Sequence, residues 1–131
     1  MLDRSYSEGE TALSARVAEA FAEKTPLRIV GGGTRQGIGN PVDGGVVSTA
    51  DLSGISLYEP GALTIVVGAG TPMTEIEATL AAKGQQLAFE PMDHRGIFGS
   101  VGEPTIGAVV AGNVSGPGRI QAGACRDAML G

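Results

Sequence analysis

The chain has 131 residues, 42% of them apolar, and a formal net charge of −5. That composition suits one globular domain with a buried core; the absence of any lysine or arginine run argues against nucleic acid or an anionic membrane as a partner. A single cysteine, Cys125, excludes an internal disulfide, no metal-ligand cluster accompanies it, and no apolar run reaches transmembrane length.

In chain order, residues 10–23 place Leu13, Val17 and Phe21 at a spacing of four, which predicts an amphipathic helix with that stripe buried. Pro26 stops it. Leu27–Val30 reads as a short strand, Gly31–Asn40 as a glycine-rich loop and residues 45–49 as a second strand. Leu63–Val67 is β-branched and reads as a third, central strand. Thr71 and Pro72 then open a helix as cap and first residue, Ile76 and Leu80 mark its buried face, and Gly84 ends it. Residues 87–89 form a candidate strand before Pro91, and residues 92–104 are irregular. Residues 105–111 predict one or two helical turns capped by Thr105, and 113–126 a second glycine-rich loop. Met129-Leu130 reads as the first step of a further strand. The alternation of strands and helices predicts an α+β or α/β fold. Met1–Ser5 lacks an apolar signal core, so the expected location is cytoplasmic.

Glycine is the outlier, with 22 residues, about 17% against a usual ~7%. The glycines cluster at 31–45, 68–70 and 112–123, which implies tight turns and backbone in close approach to something. The segment Arg28-Ile29-Val30-Gly31-Gly32-Gly33-Thr34-Arg35-Gln36-Gly37 is a strand followed by a glycine turn. Successive N–H groups in such a turn can converge on an anion. Two familiar templates fail. The dinucleotide fingerprint needs glycine where Gln36 stands, or a small residue where Met73 stands, and the P-loop needs lysine where Ile38 stands.

A second segment, Pro104-Thr105-Ile106-Gly107-Ala108-Val109-Val110-Ala111-Gly112-Asn113-Val114-Ser115-Gly116-Pro117, sets a small-residue helix start beside another glycine turn. With the first loop, and in this order and spacing, the chain resembles the FAD-linked oxidases of the vanillyl-alcohol-oxidase type and their PCMH-type FAD-binding domain. The run from Ser115 to Gly131, with Glu90-Pro91-Met92-Asp93, is similar to the FAD-binding subunits of glycolate oxidases.

That resemblance implies an α+β fold with a small N-terminal βαβ-type subdomain and the start of a second α/β subdomain. Residues 1–131 would then be a partial domain, truncated before its C-terminal part and before the substrate cap. It also implies FAD, bound non-covalently, since no flavin-linking histidine lies in the first loop. The residues it places at the cofactor are Gly31, Gly32, Gly33, Thr34, Arg35, Gln36 and Gly37 for the pyrophosphate, with Pro91, Thr105, Ile106, Gly107, Asn113, Ser115, Gly116 and Arg119 along the flavin side. The implied reaction is oxidation of glycolate or a similar small 2-hydroxy acid. The implied partners are a second FAD subunit and an iron–sulfur subunit, with membrane association through that complex. Ala108 stands where the family has a second glycine and Gly118 where it has an arginine. Those departures leave open a non-catalytic assembly subunit, and the short length and the end at Gly131 leave open a truncated remnant. No catalytic residue is assigned. His94 reads as a structural or exposed histidine rather than a general base, because no nucleophile accompanies it. Cys125 reads as a small packed residue.

Overall fold

The computed structural model describes residues 4–131, and side chains from Gly9 onward. Most of the opening segment on which the signal-sequence reading rested lies outside the described residues. Helix α1 (Arg4–Glu23) begins earlier than its apolar spacing predicts and ends at Lys24, whose φ of 55° is left-handed. The expected stripe is only in part its buried face: Leu13 is half-buried, but Phe21 is 86% exposed and Val17 45%, while Ala20 is 2% exposed. The helix sits down through a small residue, which allows close approach, and not through its bulky row.

Strands β1 (Leu27–Val30) and β2 (Gly45–Ser48) pair in parallel, from Leu27↔Gly45 to Val30↔Ser48. Parallel neighbours need a crossover. Here the glycine loop itself makes the crossover, with no helix in it. Strand β3 (Ile55–Glu59) was not anticipated. A register shift between Ile55 and Leu57 breaks the alternation that would have marked it. It pairs antiparallel with β4 (Thr64–Val67) around a 3-10 turn at Pro60–Ala62, closed by Leu63 at φ 52°. The expected central strand is therefore half of a two-stranded hairpin.

Helix α2 (Met73–Ala81) buries Met73, Ile76 and Leu80. Thr71 does not cap it. The Thr71 side chain is wholly buried; its hydroxyl accepts the Gly54 N–H (2.9 Å) and donates to the Gly54 carbonyl (3.1 Å). Pro72 takes the cap position instead. Three further helices are short: α3 (Arg95–Phe98), α4 (Ile106–Gly112) and α5 (Arg119–Ala122), followed by a 3-10 turn at Cys125–Ala128. Residues 87–89 form no strand, although Phe89 is buried, and Met129 has an extended backbone that pairs with no strand among the described residues.

The main core joins Met73, Ile76 and Leu80 of α2 to Ile106 and Val109 of α4, with Phe89 and Cys125 between them. Each large aliphatic side chain buried there contributes roughly 1.5–3 kcal/mol. Backbone hydrogen bonds fix α4 against the start of α2: Met73 N–H to Pro104 O (2.8 Å), Ile106 N–H to Thr71 O (3.0 Å) and Gly107 N–H to Ala69 O (2.9 Å). Glycine is required at 107 because a Cβ would lie 2.7 Å from the Ala69 carbonyl oxygen. This junction sets the level at which residues 99–105 pass the first glycine loop. The α+β architecture is thus two small sheets and a helical core tied by long loops. None of its described helices is long and apolar enough to cross a membrane.

Candidate functional site

The glycine loop after β1 meets the segment between α3 and α4. Gly32 and Gly102 lie backbone to backbone. A Cβ on Gly32 would coincide with the Glu103 carbonyl oxygen, and one on Gly102 with that of Gly32. Gly31 abuts the Thr105 hydroxyl in the same way. Ser100 Oγ donates to the Thr34 carbonyl at 3.2 Å. Between these crossing chains opens a cleft of about 510 Å3, lined by Gly32, Gly33, Gln36 and Gly37 on one side and by Phe98, Gly99, Ser100, Val101 and Gly102 on the other. That volume is in the range of small-molecule sites.

Gly33 (φ 74°) and Gly99 (φ 62°) have left-handed backbone on opposite walls, a conformation open to glycine at little cost. Five of the nine lining residues are glycines and none carries a charge. A ligand in this cleft meets backbone dipoles and uncharged side chains. Val101 is 98% exposed and Ile97 62%, so the rim beside α3 is apolar.

Arg35 does not line the cleft; it works beneath it. Its Nη1 donates to the Ala108 carbonyl (2.9 Å) and its Nη2 to the Met92 carbonyl (3.1 Å), which ties the first loop to α4 and to the segment after Pro91. Gly112 makes room, since a Cβ there would lie 2.8 Å from Nη1. Burial pulls the guanidinium pKa below its ordinary value, and the Asp93 charge opposes that pull. The Met92 carbonyl also meets His94 Nδ1 at 3.1 Å. A carbonyl only accepts, so Nδ1 carries the proton. His94 is buried and stacks on Phe98 (centroids 5.9 Å apart, planes 6° apart), whose ring covers Gly37. This is a structural histidine.

Arg95 bridges Asp93 (2.8 Å) and Glu103 (3.2 Å), pinning the two ends of the segment that forms the second wall. Hydrogen bonds from the Arg95 side chain and then from its backbone N–H hold the Asp93 carboxyl below the usual carboxylate range.

The remaining sequence-derived residues lie elsewhere. Thr34 is buried under the loop. Thr105 is at the N-cap position of α4, yet its Oγ1 is buried without a hydrogen-bond partner, as are Ser115 Oγ and Arg35 Nε. Ile106 belongs to the core, and Gly107 packs on Ala69. Asn113 ends α4 at φ 44°, and its Oδ1 accepts the Arg126 N–H at 3.2 Å. Pro91 pairs with Ser115, while Gly116 and Gly118 face Glu90. Arg119 is exposed on α5. The structure therefore brings Gly32, Gly33, Gln36 and Gly37 to one cleft, with Gly31, Thr34 and Arg35 as its support. Pro91, Ser115 and Gly116 form a separate turn. Sequence reasoning missed the second wall, residues 98–102. The available signal was the pair Gly99 and Gly102 bracketing a short apolar and polar step.

Cys125 is 1% exposed within the core, and desolvation pushes its thiol pKa up. The native chain is expected to be inert to a thiol-labelling disulfide reagent and to take up one equivalent when denatured. Rapid labelling of the folded chain would contradict this packing. Among the described residues no group of three or more His, Cys, Asp or Glu side chains could hold a metal ion.

Residues 6–131 match the FAD binding domain family. The chain belongs to that family, and its cofactor is FAD. Among curated proteins it is similar to the glycolate oxidase subunit GlcE of Escherichia coli (strain K12), at 39% identity over 120 residues, which cover 92% of this chain and 33% of that protein. The chain thus spans about a third of the length of that relative. No solved structure matches it.

Proposed function

We propose that this chain is part of the FAD-binding domain of a flavin-dependent oxidoreductase subunit of the glycolate oxidase kind, acting on a small 2-hydroxy acid. The observation that carries the reading is the glycine-walled cleft between residues 32–37 and 98–102. Its walls fit the cofactor, because a Cβ at Gly99 would stand in open space and one at Gly33 would meet only the movable end of Gln36, so a pyrophosphate or a flat ring can reach the backbone there, and the left-handed turns at both can aim N–H groups inward. When bound, FAD supplies the hydride chemistry, and the protein supplies position and electrostatics.

In this reading Gly32, Gly33, Gln36 and Gly37 hold the pyrophosphate. Gly31, Thr34 and Arg35 keep that loop in place, and Phe98 and Val101 give the cleft an apolar rim. Thr105, Ile106 and Gly107 set the depth of the second wall. Pro91, Asn113, Ser115 and Gly116 approach the flavin side, with Arg119 as the cation of that turn. FAD is held non-covalently. The rest of the domain and the substrate cap belong to the further length seen in the relative. Assembly with a second FAD subunit and an iron–sulfur subunit, in the cytoplasm or at the membrane through that complex, completes the proposal. Its support is that the relative is itself a subunit.

The test is a titration of FAD into the 131-residue chain, followed by quenching of flavin fluorescence. Saturable quenching is expected. Gln36→Glu adds a carboxylate at a cleft-lining, exposed position and is expected to weaken binding about tenfold with the fold intact. A folded chain that leaves FAD fluorescence unchanged would sink the reading.

A further inference from the structure

The second glycine turn has an anion of its own. Glu90 follows the buried Phe89 and precedes Pro91, which pairs with Ser115. The Gly116 N–H donates to the Glu90 backbone carbonyl at 3.0 Å. The Gly118 N–H donates to the Glu90 carboxylate oxygen Oε2 at 2.6 Å, the short length of a charge-assisted bond.

Both glycines are needed for this. A Cβ on Gly116 would lie 2.5–2.8 Å from the carboxyl carbon and both oxygens, and one on Gly118 2.7 Å from Oε2. The carboxylate therefore occupies the space that side chains at 116 and 118 would fill. Glu90 is exposed and has no ion-pair partner among the described residues. The facing segment 115–123 has one ionisable side chain, Arg119. An exposed, unpaired carboxylate gains rotamer freedom by swinging into water. This one is held on the turn by the Gly118 N–H, while the Gly116 N–H holds the Glu90 backbone beside it.

We propose that Glu90 is a positioning and specificity residue. Its carboxylate fixes the Ser115–Gly118 turn and fills the turn's N–H group, so the turn presents a negative charge in place of a free donor and refuses phosphate. The cofactor's pyrophosphate is thereby confined to the other glycine loop. The part concerning the cofactor rests on the reading above that Ser115 and Gly116 meet FAD.

The experiment follows the Gly116 and Gly118 amides of the 15N-labelled chain by NMR in wild type, Glu90→Gln and Glu90→Ala, with inorganic pyrophosphate as the probe. In the wild type the Gly118 amide is expected to be protected from exchange and unmoved by pyrophosphate. Glu90→Ala is expected to lose protection about tenfold or more, to acquire a pyrophosphate-dependent shift at Gly118, and to bind FAD more weakly. Glu90→Gln keeps an acceptor but not the charge, so intermediate protection is expected, and this variant carries the test if Glu90→Ala fails to fold. Equal Gly118 protection in wild type and Glu90→Gln, or a wild-type Gly118 amide that moves with pyrophosphate, would overturn the proposal. Failure of the wild type to bind FAD at all would overturn the cofactor reading, while the amide measurements would still decide what Glu90 does.

Discussion

Replacing Arg35 with methionine is expected to lower stability by about 2 kcal/mol and to weaken FAD binding without altering its salt dependence. Methionine keeps a flexible apolar stem but donates nothing. The Ala108 carbonyl loses its 2.9 Å bond and the Met92 carbonyl loses one of two donors. Unsatisfied buried acceptors cost about 1–3 kcal/mol each, offset in part because a cation no longer has to be desolvated. A urea midpoint shifted down at unchanged slope would register the stability change. Salt dependence then separates two roles. An arginine that neutralises the pyrophosphate adds to the steepness with which affinity falls as salt rises. An arginine spent on two carbonyls does not. A flatter salt dependence in Arg35→Met would place the guanidinium on the phosphate after all.

Gly32→Ala is expected to be the most damaging single methyl group in the chain, at about 3 kcal/mol or more. Its Cβ would meet the Glu103 carbonyl. Backbone faces backbone there, so no rotamer change relieves the overlap, and residues 102–104 must move off the loop. Gly33→Ala is the comparison. Gly33 is left-handed, but its Cβ would meet only the mobile end of Gln36 at 3.1 Å, so a cost near 1 kcal/mol is expected. Melting temperatures of the two variants test the difference. Equal melting would mean that residues 102–104 do not lie against Gly32. It follows that an acidic residue at 32 is a poor probe of phosphate repulsion, because any side chain there disrupts the wall first.

Much of the local structure was legible. Strands β1 and β2, helix α2 and the short α4 follow from β-branched runs, Ile76 and Leu80 spacing, and the proline and glycine boundaries. Other elements were hidden because their cause is tertiary. The Leu13–Val17–Phe21 row is a sound helical period, yet Ala20 makes the contact, and periodicity alone does not say which face a neighbour reaches. Strand β3 is masked by its shifted register. Thr71 has the sequence of a cap, but the Gly54 backbone competes for the same hydroxyl and wins with two hydrogen bonds. The density of glycine correctly implied close approach without identifying the approaching atoms. At 31, 32 and 102 they belong to this chain's own backbone and side chains, and at 116 and 118 to the Glu90 carboxylate. The loop at 31–37 announced itself, but its opposite wall lies about 65 residues further along, and no local pattern links Gly32 to Gly102.

That separation has a consequence for biosynthesis. On the ribosome the first glycine loop emerges long before residues 98–102. Until they arrive, the Thr34 carbonyl lacks Ser100, the Arg35 guanidinium lacks Ala108, and the cleft has one side. A nascent chain halted before Ser100 offers no enclosed site, however well β1 and β2 have paired. On the reading proposed above, cofactor capture by this cleft is therefore a late event in the life of the chain.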